Sequence, residues 1–238
     1  MTLAPDPGPR QTSRRTLLAG AGGLVAGAAA GSAWALDHPP AAPLKIIPPD
    51  DDLMREHGVL KRVLLCYREL VSRAQSGTQL QVQPVHDAAL IIHDYIEGFH
   101  EGLEEAYIFP RLRRIGQLEE TVTTLLVQHA KGRVLTQQIL ARTTVKALSS
   151  ASTRAELAAA MQSFVRMYEP HEAREDTVVF PAFRNEMSAA DLADLGRHFA
   201  DLEHQQFGTN EFTNMVRRVA VIEQTLGIYD LAQFTPQV

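Results

Sequence analysis

Two stretches of the chain, "HEGLEEAYIFP" from His100 and "HEAREDTVVFP" from His171, share one pattern: His-Glu-x-x-Glu-acid-x-x-x-Phe-Pro. On a helix, an imidazole and a carboxylate four residues apart lie about 40° apart around the axis and one turn along it, so both can reach one ion. His100 with Glu104, and His171 with Glu175, form two such pairs. Glu101 and Glu172 lie about 100° round, at the edge of the same face, as further candidate ligands. Imidazole and carboxylate without thiolate suit iron, with manganese as the alternative, better than copper or a structural zinc. Placing such groups on an inner helix face is costly unless an ion compensates them.

The repeat is longer than the motif. His57 precedes His100 by 43 residues and His129 precedes His171 by 42. Lys61 follows His57 by four residues, and Arg133 follows His129 by four. Each half therefore reads as a helix with a single His, a connection, and a helix with His-Glu-x-x-Glu. Two such hairpins related by an approximate two-fold axis bring His57, His100, His129 and His171 to one point. With one carboxylate from each hairpin, the count suits a binuclear site. Lys61 and Arg133 either balance the charge of Glu101 and Glu172 or reach out to solvent.

The elements that must position these residues read as helices only. The first covers about 51–75, with Asp50, Asp51 and Asp52 at its N-terminus, where carboxylates meet free N–H groups. The second runs from near Pro84 to about Phe109, and the third over roughly 117–148. The fourth opens at Thr153 with Glu156 as its capping-box partner and ends near Phe180-Pro181. Pro170, directly before His171, implies either a kink or a break. A fifth helix follows Ser188, with Asp191 three residues on, and stops near Gly208. No stretch alternates with period two. The expected fold is all-α: an up-down four-helix bundle over 50–208 with an additional C-terminal helix, then a tail over 209–238.

The first 35 residues differ in kind. Arg14 and Arg15 precede a Gly/Ala-rich apolar run that closes on Ala33-Trp34-Ala35, the layout of a twin-arginine signal peptide with cleavage after Ala35. Residues 36–49 form a proline-rich lead-in. Cleavage removes Arg10, Arg14, Arg15 and Asp6, making a chain of net charge −5 more negative by two. The mature protein is then acidic and exported, to the periplasm or beyond the cytoplasmic membrane, and no longer membrane-held. Its charge shows no basic stripe for nucleic acid. The single cysteine, Cys66, excludes a disulfide framework and Cys-based metal sites.

The set His57, His100-x-x-x-Glu104, His129 and His171-x-x-x-Glu175, with Phe-Pro after each pair, resembles the hemerythrin-like (HHE cation-binding) family over about residues 50–205. The resemblance implies a hemerythrin-like bundle around two non-haem iron ions, with the four histidines as terminal ligands and Glu104 and Glu175 as bridges. Two departures matter. Oxygen-carrying hemerythrins have a second His where this chain has Arg133, and they place the last bridge, an Asp, five residues after its His, where Asp176 stands here. Glu175 fits the internal repeat and Asp176 is its rival. Glu101 is a candidate to replace the missing His.

The expected function is to bind or sense oxygen, nitric oxide or a related small oxidant. A di-iron oxidase or peroxidase, and iron storage or delivery, are the alternatives; ligand counting does not decide whether the protein is an enzyme. The sequence is silent on oligomeric state. His93, His86, His198 and His204 are expected to be non-ligands, Tyr107 and Tyr168 to belong to the core, and Cys66 to be an inert thiol.

Overall fold

A computed structural model describes residues 46–238. The expected leader over 1–35, with Arg14, Arg15 and Ala35, and most of the lead-in fall outside the described residues. Helix α1 spans Pro49–Gln75, with proline at its first position, where no intrahelical N–H is needed. Asp50 and Asp51 are tied to Arg184 of the fourth bundle helix, at 2.6 Å for Asp51.

The second bundle helix, α2, is continuous over 82–114 and runs past the expected stop at Phe109. The reason lies just before Pro110. Residues Ile91–His100 and Glu104–Ile108 are π-helical, with wider turns that change which carbonyl each following N–H meets. A proline after such a turn continues the helix as its new first turn, Phe109–Arg114. Helix α3 covers Glu119–Leu140. It ends earlier than expected, and a short α4, Val145–Ser149, follows it.

Helix α5 is continuous over 151–185, crossing Pro170 without a break. Its N-cap is Ser150, whose hydroxyl accepts from the Thr153 N–H, so Thr153 sits inside the first turn rather than at the cap. An equivalent π-helical turn, Glu175–Val179, precedes Pro181, just as Glu104–Ile108 precedes Pro110. Helix α6, Ala189–Phe207, has the expected Ser188 cap, with its hydroxyl accepting from the Asp191 N–H at 3.1 Å and Gly208 beyond its end.

The bundle is the ring α1–α2–α3–α5, each helix packed on the next and α5 closing on α1. No strand occurs among the described residues. Leu53, Leu60, Tyr67, Ile91, Phe109, Val122, Met161 and Phe180 are among its fully buried apolar side chains. The tail is also structured. Helix α7, Glu211–Leu226, lays Met215, Val219, Ile222 and Leu226 on the bundle. Arg62 of α1 donates to Glu223 of α7 at 2.9 Å through Nε. No helix among the described residues is long and apolar enough to cross a membrane.

One close approach on α3 positions the site. A Cβ at Gly132 would fall 2.1 Å from the Tyr168 hydroxyl oxygen. Tyr168 cannot easily yield, because its ring stacks on Phe164 at 4.2 Å and its hydroxyl donates to Glu101 at 2.6 Å. Alanine in a helix interior is otherwise favoured over glycine by about 1 kcal/mol. Overpacking of this kind costs roughly 1–3 kcal/mol or more. The expected outcome for Gly132→Ala is a lower urea midpoint. Its loss should shrink when measured in a Tyr168→Phe background, because the two positions couple.

Candidate metal centre

Each bundle helix brings one imidazole to the centre: His57 from α1, His100 from α2, His129 from α3 and His171 from α5. All four are buried. Their Nε2 atoms meet in pairs, His57 with His100 at 3.1 Å and His129 with His171 at 3.2 Å. Between the pairs stand two fully buried carboxylates. Glu104 places Oε1 3.6 Å from His100 Nε2 and Oε2 3.5 Å from His129 Nε2. Glu175 places Oε2 3.5 Å from His57 Nε2 and 3.2 Å from His171 Nε2. Each carboxylate thus faces one imidazole from each hairpin. Donors that share an ion at about 2.0–2.2 Å stand roughly 3 Å apart, which is the spacing seen.

Two trios could each hold a cation: His57, His100 and Glu104, and His129, His171 and Glu175. None of the four carboxylate oxygens of Glu104 and Glu175 has a hydrogen-bond partner. Buried, ionisable and undonated, they fit a cation and little else.

The outer face of each ring is held as well. His57 Nδ1 meets Asp176 at 2.7 Å, and His129 Nδ1 meets Glu105 at 2.9 Å. His100 Nδ1 meets Glu56 at 2.8 Å, and His171 Nδ1 meets Gln128 at 2.8 Å. An Nδ1–H donated outward fixes the tautomer whose Nε2 lone pair faces the centre. The two halves repeat each other here. Glu56 and Gln128 directly precede a helix-borne His, and Glu105 and Asp176 each follow one by five residues. The phenylalanines of both Phe-Pro pairs take part. Phe180 stacks on His57 at 5.6 Å between centroids and Phe109 on His129 at 5.7 Å.

The remaining candidates fall outside the inner cluster. Asp176, the rival to Glu175, lies on the outer side of His57. Glu101 accepts from Tyr168 and lies 2.8 Å from Arg133, turned away from the Nε2 atoms. It approaches His129 only at Nδ1, at 3.9 Å. Glu101, Glu105 and His129 Nδ1 also form an acidic trio. The Arg133 guanidinium already supplies its positive charge, at 2.7 Å from Glu105. Glu172 is buried with Lys61 Nζ 3.8 Å away, and Lys61 lies 3.7 Å from Asp176.

The sequence reasoning missed Glu56, Gln128 and Glu105. The signal was present as an acid or amide next to each first-helix His and an acid at the same offset in both motifs. His93 is exposed beside Asp94, His86 meets Thr143 at 3.0 Å, and His198 meets the Tyr107 hydroxyl at 2.9 Å. Burial pushes the Cys66 thiol up to about 12, in keeping with an inert core thiol.

Burial is the main influence on the protonation of the carboxylates at the centre. Burial, reinforced by Glu175, holds Glu104 well above the usual carboxylate range. Burial lifts Glu101 to about 8 and Glu172 to about 7. Burial opposes a charged His57, but its hydrogen bond to Asp176 and the Glu175 carboxylate 3.5 Å away outweigh it and raise the imidazole to about 9. Burial and the neighbouring His57 lower His100 well below its ordinary value.

The sign of the resulting pH dependence is fixed above pH 7. There the unfolded chain has already lost its Glu and His protons, since their ordinary values are about 4.3 and 6.5. The folded chain still holds those of Glu101 and His57, and sheds them near 8 and 9. Folded protein binding more protons than unfolded means that stability falls as pH rises. The melting temperature of cation-free protein should therefore drop from pH 7 to pH 9. Added ferrous or manganous ion should raise it more at pH 9 than at pH 7, because the cation competes with the proton of His57 at the centre. A melting temperature that stays level over this range would count against the arrangement.

Comparison with known proteins places this geometry. Residues 49–151 match the Hemerythrin HHE cation binding domain, a span that holds His57, His100, Glu104 and His129 and ends before His171 and Glu175. An uncharacterized protein of Mycobacterium tuberculosis is 50% identical over 186 residues, covering 78% of this chain and 73% of its own length. Its counterpart in Mycobacterium bovis is 50% identical over the same extent. No solved structure gives a significant match. With an all-α bundle and a buried His/Glu cluster able to hold cations, the chain carries a hemerythrin HHE cation-binding domain over residues 49–151.

Proposed function

We propose that this chain is an exported non-haem di-iron protein that binds or senses a small oxidant: oxygen, nitric oxide or peroxide. The observation that carries the reading is the pair of buried carboxylates, Glu104 and Glu175, each set between imidazoles of opposite hairpins with no donor to either oxygen. His57 and His100 would hold one ion, and His129 and His171 the other, with the two glutamates spanning both. A hard and borderline donor set of oxygen and imidazole nitrogen favours iron, with manganese the alternative. When bound, such a pair of ions supplies redox chemistry and a coordination position for a small ligand.

The chain's own residues prepare that chemistry. Asp176, Glu56, Glu105 and Gln128 orient the imidazoles. Phe109 and Phe180 press on two of the rings and keep water from them. Lys61 and Arg133 offset the surplus acid at the rim. Support for export is the Arg14-Arg15 pair and the small-residue site ending at Ala35.

A second reading, oxidase or peroxidase chemistry at the same centre, is favoured by Tyr168. Its phenol is buried, 5.1 Å from the His171 ring between centroids, with its proton directed at Glu101. Turnover of peroxide or oxygen with an electron donor separates the two readings.

Elemental analysis of protein from iron-replete cells should give about two irons per chain, the count of a binuclear centre. Glu104→Ala and Glu175→Gln should lose most of that iron. Asp176→Asn should keep it under excess metal but weaken retention by roughly 10–100-fold, as for a residue that orients a ligand. An Asp176→Asn protein that loses iron as completely as Glu175→Gln would reverse the assignment of the bridge. Replacing both Arg14 and Arg15 with lysine should leave the protein inside the cell with its leader attached, read by fractionation; unimpaired export would remove the twin-arginine reading.

A further inference from the structure

The two halves repeat each other at the centre but not on their outer faces. Positions of α1 recur 72 residues later on α3, as His57 does at His129, and positions of α2 recur 71 residues later on α5, as His100 does at His171. By this register Asp52, Glu56, Phe99 and Leu103 correspond to Thr124, Gln128, Pro170 and Arg174. The first four are all buried, with Glu56 only 1% exposed. Of the second four, Gln128 is partly exposed and the others are exposed.

Helix α6 makes the difference. Its Phe207 lies 5.4 Å from Phe99 and 5.9 Å from Tyr95 between centroids. Tyr95 in turn donates to Glu56 at 3.1 Å. Burial raises the Glu56 carboxyl well above the usual range, and Asp52 and Glu203 of α6 add to it. A whole helix thus covers the outer face of the His57–His100 half, leaving a cavity of about 340 Å³ that Phe99 and Leu103 line but none of the inner histidines or glutamates does.

On the matching face of the other half lies a cavity of about 340 Å³. Thr124, Leu125, Gln128, Pro170 and Arg174 line it, and His171 forms part of its wall. Four other cavities, of up to about 640 Å³, are lined by none of the six inner residues. Glu120 also lines the cavity, so its rim carries one charge of each sign. Such a rim selects by size rather than by charge.

We infer that this cleft between α3 and α5 is the route by which a ligand of two or three heavy atoms, donating through oxygen or nitrogen, reaches the centre, and that it arrives on the His129–His171 side. The inference rests on the binuclear reading above. Gln128 sits at the inner end of the route and holds His171 by its Nδ1, so a ligand passes the same residue that orients the nearest imidazole. The α6-covered side is closed to it.

The test uses full-length mature protein loaded with iron, with azide as the probe and its association followed by the absorbance change on mixing. Iron content and the absorption spectrum before azide are recorded for every variant. Thr124→Trp, at an exposed position, fills the cleft and should slow azide association at least about tenfold. Its iron content and starting spectrum should be those of the parent, and Thr124→Ala should associate as fast as the parent or faster. Gln206→Trp, which fills the cleft between α2 and α6, should leave the rate unchanged. An unslowed Thr124→Trp protein with normal iron overturns the route, as does slowing by Gln206→Trp instead. Parent protein that takes up no iron overturns the binuclear reading and the route together, so the two failures are told apart on the same samples.

Discussion

Two carboxylates buried without a hydrogen-bond donor set the terms for the rest of the molecule. Glu104 and Glu175 have no exposed surface and no partner for any of their four oxygens. An ionised carboxylate so placed costs several kcal/mol unless an opposite charge lies beside it. Without a cation the protein can only keep some of these groups protonated or borrow charge from an imidazole, and the raised Glu104 and His57 do this. The bundle is thus built around a deficit that a cation fills. The outer acceptors on the four Nδ1 atoms have the same logic. They spend the outer proton of each ring so that the inner nitrogen is left to coordinate.

Much of this was legible in the sequence because the chain contains its own comparison. A single His-x-x-x-Glu carries little information, but two copies preceded by single histidines at intervals of 43 and 42 residues fix four inward positions at once. The four bundle helices and the Ser188 cap could be read for similar reasons, since periodicity and a capping residue are local signals; the short α4 and the tail helix α7 were not. Glu56 and Gln128 were hidden because a residue next to an inward histidine lies about 100° round the helix and reads as surface. Only the position of the neighbouring helix shows that it faces a ring.

The proline positions were misread for a related reason. Pro110 and Pro181 have the local signature of helix ends. Each is preceded by a π-helical turn, which sequence periodicity does not reveal, and both helices run on to close the bundle. Pro170 was read as a kink or a break, and the helix runs on across it, so it is not a break. The role of the tail was unreadable because the face it covers belongs to α1, far away in the chain. Nothing in residues 209–238 alone says what they pack against.

The π-helical turns have a consequence for side-chain direction. A wide turn holds more residues than an α-turn, so it shifts the angular phase of everything that follows. In both halves it lies between the inward glutamate and the phenylalanine that stacks on the imidazole of another helix. Were the same residues to wind as an ordinary α-helix, Phe109 or Phe180 would turn by roughly a quarter-turn off its histidine. The winding of these two five-residue segments, and not only the identity of their residues, therefore sets where each phenylalanine lands.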